Sequence, residues 1–269
     1  PIGASVTDGM NAGHGFPFNA EGIEKRYPGV FFSQFTGAEL VANKWNLSRE
    51  DLDQFAFESH LKAAAAANAG FFNKEILPLQ GRNDNGNDSM IIADEGIRFN
   101  ASFEALSGLK TVIEGGVITA GNASQITDGA SAIMVCNDAG LKKLKADPRA
   151  KIKTITVVGD DPVFMLTGPI PASKLALKKA DLSIDDMDIY EVNEAFAPVP
   201  LAWAIELGAD KSKLNVKGGA IALGHPLGST GTKLMTTMLH ELERRNGKYA
   251  LQAICEGGGT ANATIIERL

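Results

Sequence analysis

Cysteine is scarce: the 269 residues contain two, Cys136 and Cys255. One pair cannot build a disulfide framework, and so low a content in a long acidic chain fits a reducing compartment. Basic residues are also in deficit, 26 Lys and Arg against 32 Asp and Glu, for a net charge of −6. That balance argues against a general nucleic-acid or membrane-surface binder, and an anionic ligand would need a local basic patch. No run approaches the ~20 apolar residues of a membrane span, and no charged segment followed by an apolar one opens the chain. The expectation is a cytoplasmic protein with no membrane and no nucleic-acid partner, in which the sequons at Asn46, Asn87, Asn100, Asn122 and Asn262 are coincidental. Neither G-x-x-x-x-G-K-[ST] nor G-x-G-x-x-G occurs, so nucleotide sites of those two kinds are rejected.

Apolar residues make up 44% of the chain, enough for a large core in one domain or two. From Pro1 to about Phe32 no period is visible, which reads as irregular surface structure. A long helix follows, opened by the capping-box pair Ser48 and Asp51 and stopped at Gly70. The tract GRNDNGND, 81–88, reads as a solvated mobile loop. VITAGNASQITDGASAIMVC reads as a strand-like run that leaves Cys136 in the core, followed by the helical NDAGLKKLKA. Beyond it, strand KIKTITVVG, a helix over 171–180, strand MDIYEV, helices from Glu194 and from Gly231, and strands YALQAIC and ATIIERL describe a layered α/β domain.

In such folds reactive groups gather beyond the carboxyl ends of strands. Asn193 ends one strand, Cys255 ends another, and His225 lies in GGAIALGHPLGSTG, fourteen residues with five glycines. A helix start beside His225 would lower its pKa and favour neutral imidazole. Cys255, followed by Glu256 and three glycines, can offer a thiol next to uncovered N–H groups, although a free cysteine at a strand end is more often simply buried. Asn193 can equally cap the helix after it or position a water beside the histidine.

The segments NEAFA (193–197), GGAIALGHPLGSTG (218–231), CEGGG (255–259) and TAGNAS (119–124) together resemble the motifs of the thiolases, and LSREDLDQFAFESHLKAAAA and MLTGPIPA look similar to further family segments. The resemblance implies the layered α-β-α-β-α thiolase fold, with the first half largely absent from these residues. It implies a loop domain over CoA at 1–126, the closing strand and helix of the first half at 127–147, and the second half with its catalytic loops at 148–269. It further implies reversible thiolytic cleavage of 3-ketoacyl-CoA, with CoA as substrate and no other cofactor or metal, in a homodimer or homotetramer. By motif, His225 activates the nucleophile and shares an oxyanion hole with a water held by Asn193; Cys255 carries the α-carbon proton; the Gly257 N–H serves a second oxyanion hole. Ser124, Met165, Ala195, Phe196 and Arg98 correspond to the CoA and substrate contacts, Arg98 to the nucleotide end. The family's nucleophilic cysteine belongs before Pro1, so the alternative is a CoA-binding or assembly fragment without turnover. Ser33 and Gln34 replace the covering-loop histidine, Lys217 an asparagine and Leu166 a glycine, departures that bear on acyl preference and direction.

Overall fold

The computed structural model describes residues 10–13, 15–82 and 85–269. The opening 1–9, His14, and Asn83 with Asp84 of the polar tract lie outside the described residues. The helices are α1 (Glu21–Arg26), α2 (Gln34–Lys44), α3 (Arg49–Asn68), α4 (Phe103–Ser107), α5 (Asp138–Leu144), α6 (Pro169–Ala180), α7 (Pro198–Leu207), α8 (Ala220–Leu223) and α9 (Thr230–Arg245). The strands are β1 (Leu79–Arg82), β2 (Asp88–Ile91), β3 (Ala150–Gly159), β4 (Ile189–Val192), β5 (Tyr249–Cys255) and β6 (Thr260–Arg268).

The four-stranded sheet runs β3-β6-β5-β4, with β4 parallel to β5 and the other pairs antiparallel. Alternation along the strands splits its side chains between two faces. Leu251, Ala253, Ala263 and Ile265 meet the larger core with Ala172, Ala176 and Trp203 of α6 and α7. Ile189, Ala250 and Ile266 meet Met238 and Leu242, which recur four residues apart on α9. The result is one α-β-α sandwich, on which 10–147 adds helices and loops.

α3 starts as its sequence predicts: Ser48 Oγ accepts from Asp51 N, and the Asp51 carboxylate accepts from Ser48 N at 2.8 Å. Its inner face holds Leu52, Phe55, Ala56 and Ala63, and Gly70 at φ 71° follows its end. Four expectations change. The described part of the opening stretch contains α1 and a 3₁₀ turn at 17–19, with Phe18 stacked on Phe32 at 5.0 Å. The polar tract is the end of an antiparallel hairpin, since β1 and β2 pair from Leu79↔Ile91 to Arg82↔Asp88. The run 117–136 forms no strand; it turns at 120–122 and carries two isolated bridges, Thr111↔Thr119 and Ala123↔Phe196. Cys136 in that run is exposed rather than buried, as are Ile126, Met134 and Val135. A strand is completed by a neighbour's ladder of hydrogen bonds, and here NEAFA supplies an isolated bridge with two backbone bonds, Ala197 N to Asn122 O and Ser124 N to Ala195 O, and no ladder.

Candidate active site

β4 and β5 end side by side at one edge of the sheet. Val192 is in register with Ala253, and Asn193 N donates to Ala253 O at 3.0 Å, which extends the ladder one residue past β4. Asn215, at φ 44°, finishes the other side of β4 like a substitute strand: its Oδ1 accepts from Val192 N and its Nδ2 donates to Val192 O, at 2.9 and 2.8 Å. The residue after Asn193 fixes the edge in depth. Glu194 is fully buried and accepts from Ser59 Oγ (2.7 Å), Asn215 Nδ2 (2.9 Å) and Ile221 N (3.1 Å), which joins α3, β4 and α8. Burial raises its pKa above the ordinary carboxyl value. The helix expected from Glu194 begins instead at Pro198, with Ala197 before it, so Asn193 is no helix cap and its side chain is released for the site.

The glycines around His225 answer to close approach. A Cβ on Gly219 would fall on the Glu194 carboxylate, and Gly224, at φ 86°, lies where a Cβ would come within 2.5 Å of Thr127 Oγ1. Between them α8 turns the chain so that His225 Nε2 stands 3.2 Å from Asn193 Nδ2. On its other side Nδ1 lies 2.6 Å from Thr230 Oγ1, whose hydroxyl proton goes to Pro226 O at 3.0 Å. This network assigns the imidazole proton to Nδ1, so that Nε2 accepts from Asn193 Nδ2. The pKa of His225 is lowered, as expected, and burial is the cause. Asn193 Oδ1 is buried and has no hydrogen-bond partner among the described residues.

Cys255 closes β5, paired with Ala261 of β6, and is 8% exposed. Burial first, and then the adjacent Glu256 carboxylate, push its thiol up to about 12. Glu256 itself is held by Asn262 Nδ2 at 2.6 Å and Thr260 Oγ1 at 3.3 Å. The structure thus places Asn193 and Cys255 at neighbouring strand ends and bonds Asn193 to His225; among the described residues Cys255 makes no hydrogen bond to either. At pH 8 a thiol of pKa near 12 is about 10⁻⁴ thiolate. Iodoacetamide therefore modifies Cys136 and spares Cys255 in the folded chain, whereas both react in denaturant; comparable labelling of Cys255 in the native state, read by peptide mass spectrometry, would contradict this.

Ser124 N donates to Ala195 O at 3.0 Å, and the bridge Ala123↔Phe196 carries the TAGNAS segment along NEAFA. Ser124 and Ala195 are half-buried; Phe196 and Met165 are 4% and 6% exposed, and Met165 adopts φ 60°, a left-handed conformation that costs a non-glycine residue about 1–2 kcal/mol. Arg98 is exposed, and its N–H donates to Nδ1 of buried His60 at 3.3 Å. Burial, then the Arg98 charge, lowers His60 to about 4. Gly257 opens the 3₁₀ turn after Glu256 and is exposed.

Several residues escape sequence reading because their partners are distant. Asp53, inside α3, accepts from Arg49 Nε (2.6 Å) and Asn122 Nδ2 (2.9 Å), and Asn122 Oδ1 in turn accepts from Thr119 N at 2.8 Å, which sets the TAGNAS turn. Lys217 points away from the pocket: it is 2% exposed and pairs with Glu75 at 2.6 Å and Glu241 at 3.5 Å. Ser33 caps α2 by accepting from Phe35 N. Partners so far apart along the chain leave no local pattern; only the NEAFA motif could have drawn attention to Glu194.

Family models for "Thiolase, N-terminal domain" and "Thiolase, C-terminal domain" match residues 22–139 and 146–268. The chain belongs to the thiolase family. It is 51% identical over its whole length to a steroid 3-ketoacyl-CoA thiolase of Mycobacterium tuberculosis, of which it covers 65%, and 46% identical, over 86% of its length, to a beta-ketoadipyl-CoA thiolase of Acinetobacter baylyi, of which it covers 59%. Human mitochondrial 3-ketoacyl-CoA thiolase, solved in complex with CoA, superposes with a TM-score of 0.80 at 43% identity, over 87% of this chain and 58% of that one. The thiolase fold is therefore present, and the chain spans about three fifths of the length of these relatives. Among the described residues no helix is long and apolar enough to cross a membrane.

Proposed function

We propose that this thiolase chain serves reversible thiolytic cleavage of a 3-ketoacyl-CoA into acetyl-CoA and a shortened acyl-CoA. The observation that carries the reading is the Asn193–His225 hydrogen bond, set at the ends of two parallel strands of which the second ends at Cys255. The thiolate that takes the acyl group comes from a cysteine outside these 269 residues. It attacks the C3 carbonyl, the C2–C3 bond breaks, and the electron pair stays on C2 of the departing acetyl-CoA, which takes its proton from Cys255; free CoA then returns a proton from its thiol to Cys255, its thiolate attacks the acyl-cysteine, and the shortened acyl-CoA leaves as the cysteine thiolate is released. A thiol held near 12 suits the proton transfer to C2: it keeps its proton at neutral pH and gives it up only to a strong base such as a carbanion.

His225 accepts the proton of the attacking thiol on Nε2, in exchange for the Asn193 Nδ2 hydrogen bond that this nitrogen otherwise accepts. As imidazolium it faces the developing oxyanion together with a water on Asn193 Oδ1, and preorganised donors of this kind contribute ~3–4 kcal/mol each. The Gly257 N–H serves the second oxyanion. CoA, the substrate and the one small-molecule partner, lies along Ser124, Ala195, Phe196 and Met165 with its nucleotide toward Arg98. The protein works in the cytoplasm as a homodimer or homotetramer.

The test is acetoacetyl-CoA thiolysis by the longest native polypeptide that contains these residues, with mass spectrometry of its cysteines. The expected result is turnover, with the acyl label on a cysteine outside residues 1–269. CoA binding without turnover would favour an assembly or CoA-binding role, and acyl label on Cys255 would overturn its assignment to proton transfer.

A further inference from the structure

We propose that Gln125 is a positioning residue that locks the Arg98 segment to the loop carrying His225, so that one side chain links the CoA nucleotide seat to the base. This rests on the functional reading above. Gln125 follows Ser124 and bridges three pieces of chain. Its Nε2 donates to Gly96 O at 2.9 Å and to Ile221 O at 2.8 Å, with Ala222 O at 3.3 Å. Its own carbonyl accepts the His225 N–H at 3.2 Å.

The chemistry makes this amide hard to replace. Ala220 O of α8 takes the Gly224 N–H, but in a helix of four residues the carbonyls of Ile221 and Ala222 lie at the unsatisfied C-terminal end. Gln125 is the donor that satisfies them, and so it sets where the chain leaves α8 for Gly224 and His225. An NH₂ group carries two protons in one plane, and here they serve carbonyls from two different segments. Without it the Gly96 and α8 carbonyl oxygens face one another with no donor between them. The fit is close: a Cβ on Gly96 would come within 2.8 Å of Ala222 O and 3.1 Å of Gln125 Nε2. Two residues on, the Arg98 N–H is fixed by His60, so the segment is held at both ends.

The decisive variant is Gln125→Leu, which keeps the shape and removes the donors, in the longest native polypeptide. Amide hydrogen exchange is expected to accelerate together at 96–98 and 221–225 while β5 and β6 keep their protection. In the same variant kcat for thiolysis falls about tenfold and KM for CoA rises, since sub-ångström misplacement of a base is enough for such a loss. In a His225→Ala background the kcat effect disappears and the CoA effect persists. Unchanged exchange in both segments, or acceleration spread evenly over the chain, overturns the proposal, as does an undiminished kcat. If the leucine variant does not fold, Gln125→Glu, which keeps size and polarity but repels the carbonyls, is read by the same measurements. Failure of the unsubstituted protein to catalyse thiolysis would count against the functional reading alone, because the exchange result is independent of turnover.

Discussion

Replacing His225 with alanine is expected to lower kcat for acetoacetyl-CoA thiolysis by about 10²–10⁴-fold in the longest native polypeptide, with KM for CoA nearly unchanged. The imidazole is fixed on both sides, by Thr230 at Nδ1 and by Asn193 at Nε2, so its work is done on the reacting thiol and the oxyanion rather than on the bound nucleotide. Asn193→Ala loses the other half of the same oxyanion site and is expected to cost about 10²–10³-fold. Because the two act as a unit, the double variant should be scarcely slower than His225→Ala. Steady-state kinetics of the three variants decide the matter: losses below about tenfold, or losses that multiply, would show that the pair does not act at the reacting atoms.

The second large effect is on stability and lies outside the pocket. Lys217→Ala leaves Glu75 without its cation; Glu75 is buried beside Thr237, whose hydroxyl donates to it at 2.8 Å. Glu241, also buried, keeps Arg244 at 2.6 Å and the contact with Arg245. Removing one partner of a buried pair strands the remaining charge, and about 3–5 kcal/mol of unfolding free energy should be lost. Urea denaturation measures it. Lys217→Met combined with Glu75→Leu removes both charges and should recover most of the loss, since apolar replacement of a whole buried pair is often neutral. A loss below about 1 kcal/mol for Lys217→Ala would mean that water reaches the cluster. Under this account the lysine at 217 is a structural post between the 71–76 turn and α9, and bears on acyl preference only indirectly.

Much of the architecture was legible from local signals. Ser48, Asp51 and Gly70 bracket α3 because caps and stops act within a few residues. The strands of the sandwich show as apolar runs bounded by turns, and Asn193, His225 and Cys255 stand out because each sits where a run ends. That Asn193 and His225, 32 positions apart, share one site was expected through the family motifs, since no local pattern links them.

The tertiary structure alone decided the rest. Residues 117–136 have strand composition, but a strand is completed by a neighbour's ladder and NEAFA supplies an isolated bridge; Met134, Val135 and Cys136 at the end of the run are exposed. NEAFA has helical composition, yet Glu194 is captured by Ser59 and Ile221 and Ala197 N by Asn122 O, so the helix waits for Pro198. Glu194, Lys217 and Gln125 each take partners between 21 and 142 positions away. What the sequence determined by itself is whatever follows from neighbours within one turn or one strand: caps, periods, and the residue types at strand ends. What only the folded chain decided is where buried polar groups find their partners, because burial makes an unpaired group costly and the partner can come from any segment that packing brings near.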